Sequence, residues 1–247
     1  MRRDAMIFER KFTTMWHDTD AHRRVRPTQL LVYMQETSNK HTECCGMPLD
    51  TLRDEKGLAF ILSKIRFAVY QPLFAFEEIR VQTWTRPSRG FSITRFFRIL
   101  RGEQVIAEAD TTWALVDINS GTPVKGEVCD GIYSFLHDEP IDVPVPPRFR
   151  LPSTLSLEEI GKRRIVYSDL DYNMHMNNTK YPDMLCDFLE LDEVDRVKGF
   201  LLSYVHESAF GDELTVCHAY GDGVHYFKTV NQNGVTCLEA QVLVDEK

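Results

Sequence analysis

The chain has 247 residues, of which 43% are hydrophobic and 27% are charged. This is the composition of a globular protein, and it excludes global disorder and a fibrous repeat. The 37 acidic residues outnumber the 29 basic ones and give a net charge of −8. That balance disfavours a general nucleic-acid-binding protein, because phosphate contacts need a surplus of basic charge.

The chain also lacks the signals of membrane insertion and export. No apolar run approaches the roughly 20 residues that a membrane helix needs, so we expect no membrane span. The N-terminal residues carry charge but no apolar core of the length found in a signal peptide. Six cysteines are too sparse for a disulfide scaffold, and none forms a Cys-x-x-Cys pair. We therefore expect reduced thiols in a cytoplasmic protein and no structural zinc.

The first part of the chain predicts a strand, a helix and four strands in that order. Phe8–Trp16 is rich in β-type residues. Pro27 is tolerated in the first turn of a helix, and Leu30, Met34, Ser38 and His41 then recur at helical spacing up to Gly46. The four predicted strands, bounded by turn signals, are Leu58–Val69, Ile79–Arg86, Phe91–Arg101 and Val105–Asp117.

The second part of the chain repeats this order. Arg163–Ser168 predicts a short strand, and a segment containing Tyr181, Leu185, Phe188 and Leu189 predicts a helix. Asn233-Gly234 is a strong hairpin signal between the last two predicted strands. The four predicted strands are Gly199–Ser208, Glu213–Ala219, Val224–Asn231 and Val235–Val244.

Short matches between the two parts indicate an internal duplication. The offsets shrink along the chain, as expected if the second copy lost residues from its loops. Convergence of two unrelated α+β halves is the alternative. The matches are Asp18-Thr-Asp20 with Asp169-Leu-Asp171 at an offset of 151, Leu62-Ser63 with Leu202-Ser203 at 140, Glu78–Val81 with Glu213–Val216 at 135, and Glu108-Ala109 with Glu239-Ala240 at 131.

A proline cluster separates the two parts. Five of the eleven prolines lie between Pro140 and Pro152, which predicts an extended linker that crosses a surface. We therefore predict an N-terminal domain over 1–135, a linker over 136–160 and a C-terminal domain over 161–247.

The second part carries a distinctive run of polar side chains. Asp171, Asn173 and His175 alternate with Tyr172, Met174 and Met176. In an extended segment alternate side chains point to the same side, so a carboxylate, an amide and an imidazole would share one side. Asn177 or Asn178 would cap the helix that follows.

This chemistry is concentrated in one copy. Aligned on the offsets above, the first copy has His22 in place of Asn173, Arg24 in place of His175 and Phe67 in place of Glu207. The pattern favours one active site per chain, with the other copy assigned to binding or support. The alternatives are a polar loop with a solvated histidine, and a metal site formed by Asp171, His175 and Glu207, which has no second histidine at a convincing spacing.

A family resemblance follows from these residues. The stretch Asp169-Leu-Asp-Tyr-Asn-Met-His-Met-Asn-Asn-Thr-Lys-Tyr181 resembles the signature of the acyl-acyl carrier protein thioesterases of plants and bacteria. Trp16–Asp20, Leu62–Arg66 and Tyr204–Glu207 resemble other stretches of that family. The resemblance implies an α+β fold of two tandem hotdog domains, each a long helix wrapped by an antiparallel sheet, packed as an intramolecular pseudo-dimer.

The resemblance also implies an activity and its residues. The activity would be hydrolysis of fatty acyl-acyl carrier protein, which releases free fatty acid and ends fatty acid synthesis, with no cofactor and no metal. The family's catalytic positions fall on Asp171, Asn173, His175 and Glu207. Family members often have a cysteine after the glutamate, where this chain has Ser208, and this favours direct attack by water over a thiol nucleophile.

Roles within this set follow from residue type. A carboxylate partly shielded from solvent can act as a general base, because desolvation raises its pKa. Glu207 is our first choice for that role, with Asp171 orienting the groups or sharing it. Asn173 and His175 would position the water or the thioester through hydrogen bonds.

Substrate contacts are predicted outside this set. The resemblance places the acyl-chain pocket in the N-terminal domain, where the candidates are Leu30, Leu31, Met34, Phe60 and Ile61; plain core packing is the alternative for each.

The partner would be an acidic carrier protein, bound by local basic clusters on an acidic enzyme. These clusters are Arg23, Arg24 and Arg26; Arg86 and Arg89; and Lys162, Arg163 and Arg164.

Other assignments stay open at this level. We expect no plastid transit peptide, because the first predicted strand begins within about ten residues, and this favours the bacterial cytoplasm over a plastid. An acyl-CoA thioesterase or a hotdog dehydratase would use the same kind of thioester. A non-catalytic acyl-binding regulator is disfavoured because all four polar residues are present. A homodimer is possible, and we expect no nucleic-acid partner.

Overall fold

A computed structural model describes residues 7–130 and 137–245. The chain divides into two compact units. The first unit comprises Met1–Ser63 with Tyr70–Val143, and the second comprises Lys64–Val69 with Pro144–Lys247. Each unit combines antiparallel strands with helices, which confirms the predicted α+β class.

The first unit follows the predicted order of elements and adds three short ones. Its strand order is β1-β3-β4-β5-β2, with β6 paired to β5. Only the first part of β2 belongs to this unit. The elements are β1 (Phe8–Thr13), α1 (Pro27–Cys44), α2 (Leu49–Asp54), β2 (Leu58–Val69), β3 (Glu78–Thr85), β4 (Ile93–Arg101), β5 (Gln104–Asp117), β6 (Pro123–Val124) and α3 (Glu127–Asp130).

The helix α1 is positioned by its buried stripe. Leu30, Met34, Thr37 and His41 are buried at helical spacing. The helix ends as predicted near Gly46, whose φ of +78° suits glycine at a helix C-terminus. The first strand, predicted over Phe8–Trp16, is shorter than expected. The observed β1 ends at Thr13, and residues 16–18 form a 3₁₀ turn.

The second unit contains the later strands and two short helices. Its strand order is β2-β8-β11-β10-β9-β7, where β2 contributes Lys64–Val69. The elements are β7 (Glu158–Arg164), α4 (Tyr181–Cys186), α5 (Leu191–Val194), β8 (Val197–Tyr204), β9 (Glu213–Gly221), β10 (Val224–Val230) and β11 (Thr236–Val244). The hairpin predicted at Asn233-Gly234 is confirmed, with β10 and β11 antiparallel and Gly234 at φ +78°.

Three predictions for this unit have wrong bounds. The strand predicted over Gly199–Ser208 ends at Tyr204. The strand predicted over Arg163–Ser168 ends at Arg164, and residues 167–169 form a 3₁₀ turn. The predicted helix ends at Cys186, before Phe188 and Leu189. The chain turns there, and the Phe188 ring packs over Gly161 of β7, where an added Cβ would lie 2.9 Å from the ring.

From Pro144 onward, the proline-rich segment belongs to the second unit. Val145 is buried. Within the second unit, Lys64 Nζ donates to the carbonyl of Pro147 at 2.9 Å, and an Arg66 guanidinium nitrogen donates to the carbonyl of Val145 at 3.0 Å. Defined hydrogen bonds therefore hold the segment at Val145 and Pro147.

Matching hydrogen bonds confirm the internal repeat. The Asp20 amide donates to the Arg24 carbonyl at 2.8 Å in the first unit, and the Asp171 amide donates to the His175 carbonyl at 2.9 Å in the second. The Val25 amide likewise donates to Leu73, as the Met176 amide does to Ser208.

The same comparison corrects one predicted offset. The amides of Tyr70 and Gln71 donate to the Ile106 carbonyl, and those of Val205 and His206 donate to the Cys237 carbonyl. The offset along β8 is therefore 135, and the Leu62-Ser63 match at 140 is coincidental. The counterpart of Glu207 is consequently Pro72, not Phe67.

Candidate active site

Asp171–Met176 forms a tight turn, so the extended conformation predicted for these residues is wrong. The Met174 amide donates to the Asp171 carbonyl at 3.1 Å, and the Asp171 amide donates to the His175 carbonyl at 2.9 Å. Met174 has φ +64°, in the left-handed region. Oδ1 of Asp171 accepts the Asn173 amide at 2.8 Å, which is the Asx-type bond that favours such a turn.

The side chains nevertheless separate into two groups by exposure. Asp171, Asn173 and His175 are half-buried, whereas Tyr172 and Met174 are exposed. The turn therefore keeps the three predicted polar side chains partly shielded from solvent, by a different backbone route from the predicted one.

Asp169 anchors the start of this turn. Its side chain is buried, and its carboxylate accepts the Val166 amide at 2.9 Å and an Arg163 guanidinium nitrogen at 2.6 Å. The buried carboxylate closes the 3₁₀ turn before Asp171. Arg163 thus has a structural role, which sequence reasoning assigned to partner docking.

Backbone contacts join the turn to the segment that follows β8. The Met176 amide donates to the Ser208 carbonyl at 2.8 Å, and His175 forms a bridge with Ala209. Glu207 directly precedes Ser208, so it lies within one residue of this contact. The fold therefore brings the predicted glutamate to the turn that carries Asp171, Asn173 and His175.

Glu207 is exposed, which corrects the expectation of a carboxylate shielded within the substrate-free chain. Within the described ranges, neither the His175 imidazole nor the Glu207 carboxylate has a hydrogen bond or an ion pair. Both groups are thus free to engage a water molecule or a substrate.

Ser208 lies on the inner side of the site. Its side chain is buried, and its Oγ accepts the Tyr181 hydroxyl at 3.1 Å. The Tyr204 ring packs edge-on against Tyr181 at 5.2 Å, and its hydroxyl donates to the Asn178 carbonyl at 2.9 Å. Burial raises the pKa of Tyr181 to about 12 and raises that of Tyr204 well above its usual value. This tyrosine pair supports the site with neutral hydroxyls.

Sequence reasoning assigned no role to these tyrosines. Tyr181 is the last residue of the signature stretch that begins at Asp169, and Tyr204 is the first residue of the stretch Tyr204–Glu207. Their contact joins two segments that are distant in sequence, and only the fold reveals it.

Asn177 is confirmed as a cap. Its side-chain oxygen accepts the Thr179 amide at 2.9 Å and the Thr179 hydroxyl at 2.8 Å. The element that it caps is the 3₁₀ turn Asn178–Lys180, which leads into α4 at Tyr181. The N-terminus beside the site is therefore a short turn and not a long helix.

The predicted acyl-chain residues have three kinds of surroundings. Leu30, Leu31 and Met34 are buried on α1. Phe60 packs against a separate cluster that includes Met47 and Leu52. Ile61 is 51% exposed.

The predicted docking residues also differ in their surroundings. Arg23, Arg89 and Arg164 are exposed. Arg86 pairs with Asp138 at 3.0 Å, and Lys162 pairs with Glu213 at 2.8 Å. Arg24 and Arg26 are half-buried, and an Arg26 guanidinium nitrogen donates to the His17 carbonyl at 3.0 Å.

Three further observations bear on other uses of the chain. A cavity of about 390 Å³ in the second unit is lined by Pro146, Pro147, Arg148, Arg150 and Gln241, and includes none of the four candidate catalytic residues. Across the described residues, no group of three or more His, Cys, Asp or Glu is arranged to hold a metal ion. None of the helices described here is both long and apolar enough to cross a membrane.

Comparisons with known proteins agree with the fold. Solved structures share the fold over nearly the whole chain. An acyl-ACP thioesterase from Bacteroides thetaiotaomicron aligns with a TM-score of 0.86 at 22% identity, covering 97% of this chain and 98% of that one. A 12:0-ACP thioesterase from Umbellularia californica aligns with a TM-score of 0.84 at 17% identity, covering 98% of each chain. These matches confirm the hotdog fold.

Sequence comparison gives the same family. A palmitoyl-acyl carrier protein thioesterase of the chloroplast of Cuphea hookeriana is 21% identical over 190 residues, which are 72% of this chain and 46% of that protein. The match thus spans about half the length of that curated relative. The models of the acyl-ACP thioesterase N-terminal and C-terminal domains match residues 5–133 and 156–244. On this evidence the chain belongs to the acyl-ACP thioesterase family.

Proposed function

We propose that this chain hydrolyses the thioester bond of fatty acyl-acyl carrier protein and releases a free fatty acid. One observation carries the proposal: backbone contacts bring the segment that contains Glu207 to the turn that carries Asp171, Asn173 and His175, and among the described residues neither the His175 imidazole nor the Glu207 carboxylate has a hydrogen bond or an ion pair. The matching turn of the first unit has His22 and Arg24 in the corresponding positions, and Pro72 corresponds to Glu207. Family membership supplies the substrate class, since relatives are named for palmitoyl- and 12:0-carrier protein substrates.

The proposed reaction is attack by water on the thioester carbonyl. Glu207, or Asp171 in its place, removes a proton from the water as its oxygen bonds to the carbonyl carbon. Hydrogen bonds from Asn173 and His175 stabilise the negative charge on the carbonyl oxygen and hold the water. The carbon–sulfur bond then breaks, the thiolate takes up a proton, and the fatty acid and the carrier thiol leave.

Substrate binding would supply the shielding that Glu207 lacks in the substrate-free chain. An acylated arm lying over the turn would exclude water from the carboxylate. A carboxylate that has lost its hydrating water accepts a proton more readily, as a general base must.

A covalent route through Ser208 is disfavoured by its surroundings. Its hydroxyl is buried and accepts the Tyr181 hydroxyl, whereas Glu207 beside it is exposed. We expect Ser208→Ala to retain turnover within about an order of magnitude, because a lost nucleophile would cost far more. Loss of activity in folded Ser208→Ala would instead favour a serine nucleophile.

The test of the proposal is hydrolysis of purified acyl carrier protein thioesters of several chain lengths, with the released acids identified. We expect His175→Ala and Glu207→Gln to lose about 10²-fold or more in kcat while they remain folded. His206→Gln, an exposed neighbour with no assigned role, is the matched control. Full turnover by Glu207→Gln and His175→Ala would refute the assignment.

Parallel assays with acyl-CoA separate a carrier-protein thioesterase from a CoA thioesterase, and release of free thiol separates both from a dehydratase.

We further propose that the acyl chain lies in the N-terminal domain beside α1. The observations that support this are the burial of Leu30, Leu31 and Met34 on one helix and the apolar face that this helix covers. A larger residue at Met34 should shorten the preferred chain, which gas chromatography of the products would detect. An unchanged product profile across several such substitutions would argue against this location.

The remaining proposal concerns location. We propose that the enzyme works in the bacterial cytoplasm, and the cysteines support this: all six lie in the described ranges and none forms a disulfide. Cell fractionation with an antibody against the chain tests it.

A further inference from the structure

The proline-rich segment and β11 enclose a cavity of about 390 Å³ within the second unit. The segment supplies Pro146, Pro147, Arg148 and Arg150, and β11 supplies Gln241. The lining thus includes none of the four candidate catalytic residues. Pockets that hold small molecules have volumes of about 300–1,000 Å³. The cavity is therefore large enough for a ligand that takes no part in the proposed reaction.

Gln241 brings a buried polar atom to this cavity. The residue is only 3% exposed, and its Oε1 has no hydrogen-bond partner among the described residues. Gln241 lies opposite Tyr226 on β10, and the two side chains share a hydrogen bond. Burial raises the pKa of Tyr226, so its hydroxyl is neutral in this contact. A buried carbonyl oxygen without a donor is costly, so Oε1 is available to accept a ligand N–H or O–H.

Two arginines give the cavity its positive charge. Arg148 and Arg150 are exposed, and neither guanidinium has a hydrogen bond or an ion pair with a described residue. The lining residues include no carboxylate. A guanidinium can donate to two oxygens of a phosphate or a carboxylate at once. Two arginines at one cavity therefore suit a doubly charged phosphate better than a single carboxylate.

Neighbouring charges do not cancel those of the two arginines. Lys64 Nζ donates to a carbonyl of the proline-rich segment at 2.9 Å, which brings a third cation to the cavity wall. Glu239, also on β11, faces Lys228 at 3.9 Å, so this pair is balanced. Asp222 is, after burial, the second cause of the raised pKa of Tyr226, and it therefore lies nearby. Its one negative charge is outweighed by the three cations.

The stretch that carries the arginines is held in place. The carbonyl of Pro147, directly before Arg148, accepts the hydrogen bond from Lys64. The Phe149 ring, between the two arginines, packs edge-on against buried Tyr226 with ring centroids 6.2 Å apart. The backbone of the site is thus fixed before a ligand arrives. Binding then has to order little more than the arginine side chains, which keeps its entropic cost low.

We propose that this cavity binds a small phosphate ester that also carries a hydroxyl or amino group, of the size of a nucleoside monophosphate. Arg148 and Arg150 bind the phosphate oxygens, and Gln241 Oε1 accepts the hydroxyl or amino hydrogen. The headgroup of an anionic lipid offers the same phosphate. A soluble ester is favoured because the ligand has to reach the buried Oε1 inside the cavity. The inference goes beyond the proposed function and does not depend on it.

Calorimetric titration of the full chain with adenosine 5′-monophosphate, glycerol 3-phosphate, adenosine and inorganic phosphate tests the proposal. We expect at least one ester to bind, to raise the melting temperature, and to bind more weakly as salt is added, whereas adenosine should not bind. Arg148→Ala and Arg150→Ala should each raise Kd for the ester about tenfold or more. Gln241→Met, which removes Oε1, should weaken the ester more than inorganic phosphate. Arg164→Ala, at another exposed arginine of the second unit, is the matched control and should leave Kd unchanged.

Several results would overturn the proposal. One is the absence of binding by both esters, which would leave Oε1 to water alone. Another is an unchanged Kd in the two arginine variants, since the ester would then bind elsewhere. Vesicles of phosphatidylglycerol that bind the wild type but not these variants, while neither soluble ester binds, would assign the cavity to a lipid. Thioester hydrolysis without added ester should be unchanged in Arg148→Ala and Arg150→Ala, so failure of the proposed function and failure of this inference are separate results.

Discussion

The two matching turns allow one substitution to be made in two places, with different expected results. Asp171 and Asp20 occupy equivalent positions, and each accepts backbone amides through Oδ1. Asparagine keeps an oxygen in that position and supports the same turn, but it has no charge. Asp171→Asn therefore tests the charge of the proposed site, and Asp20→Asn is its structural control.

The expected loss of stability can be worked out from the hydrogen bonds. Asp171 accepts one amide, from Asn173 at 2.8 Å. Asp20 accepts two, from His22 at 2.8 Å and from Arg24 at 3.1 Å. Replacing a charged acceptor by a neutral one weakens each bond by about 1 kcal/mol. We therefore expect a loss of about 1 kcal/mol for Asp171→Asn and up to about 2 kcal/mol for Asp20→Asn, or about 2–4 °C in Tm per kcal/mol for a chain of this size.

The expected loss of activity runs the other way. If the Asp171 carboxylate orients the reacting groups or takes the proton, Asp171→Asn should lower kcat by about 10²-fold or more. Asp20→Asn, although at least as destabilising, should stay near wild type in kcat. The assay is single-turnover hydrolysis of acyl-carrier protein, with Tm measured by calorimetry on the same samples. Equal activities in the two variants would refute the role of the Asp171 charge.

Two further predictions concern stability. Arg163→Ala should lower the free energy of unfolding in urea by about 1.5–3 kcal/mol, because buried Asp169 loses a charged donor at 2.6 Å. Its control, Arg164→Ala at an exposed position, should be nearly neutral. Equal effects of the two substitutions would contradict the structural role of Arg163. Burial, aided by a neighbouring arginine, lowers the pKa of His41 to about 3. Since the unfolded chain takes up this proton first, stability should fall by about 1.4 kcal/mol per unit as pH drops below about 6.5 towards 3, and His41→Gln should lessen that slope. A slope unchanged in His41→Gln would contradict this.

Sequence reasoning succeeded where the signal was local. The long helix over Pro27–Cys44 follows from apolar spacing and a glycine stop, and the strand Leu58–Val69 was predicted with its observed bounds. The polar residues of the site were found because the motif keeps them close in the chain. Asn177 was recognised as a cap because its residue type suits that position.

Failures came where a distant contact decides the conformation. The Asp171 turn looks extended in sequence because polar and apolar residues alternate, but Asx bonding and pairing with residues 208–209 bend it. The counterpart of Glu207 was misassigned because a two-residue match at Leu62-Ser63 outweighed hydrogen bonds that only the fold displays. The burial of Ser208 under Tyr181 likewise depends on a contact between segments far apart in sequence.

The second unit is discontinuous in sequence, and this constrains how the gene can be divided. Residues 64–69, the end of β2, pair with β8, and the Phe67 and Phe200 rings stack there with centroids 6.2 Å apart. A fragment that starts at the proline-rich segment would carry the proposed catalytic residues but leave β8 as an open strand edge beside uncovered apolar side chains. The two halves of this duplicated chain are therefore not interchangeable modules. The end of one strand lies in the first half of the sequence but belongs to the second unit. Dividing the gene at one point would therefore not yield two complete units.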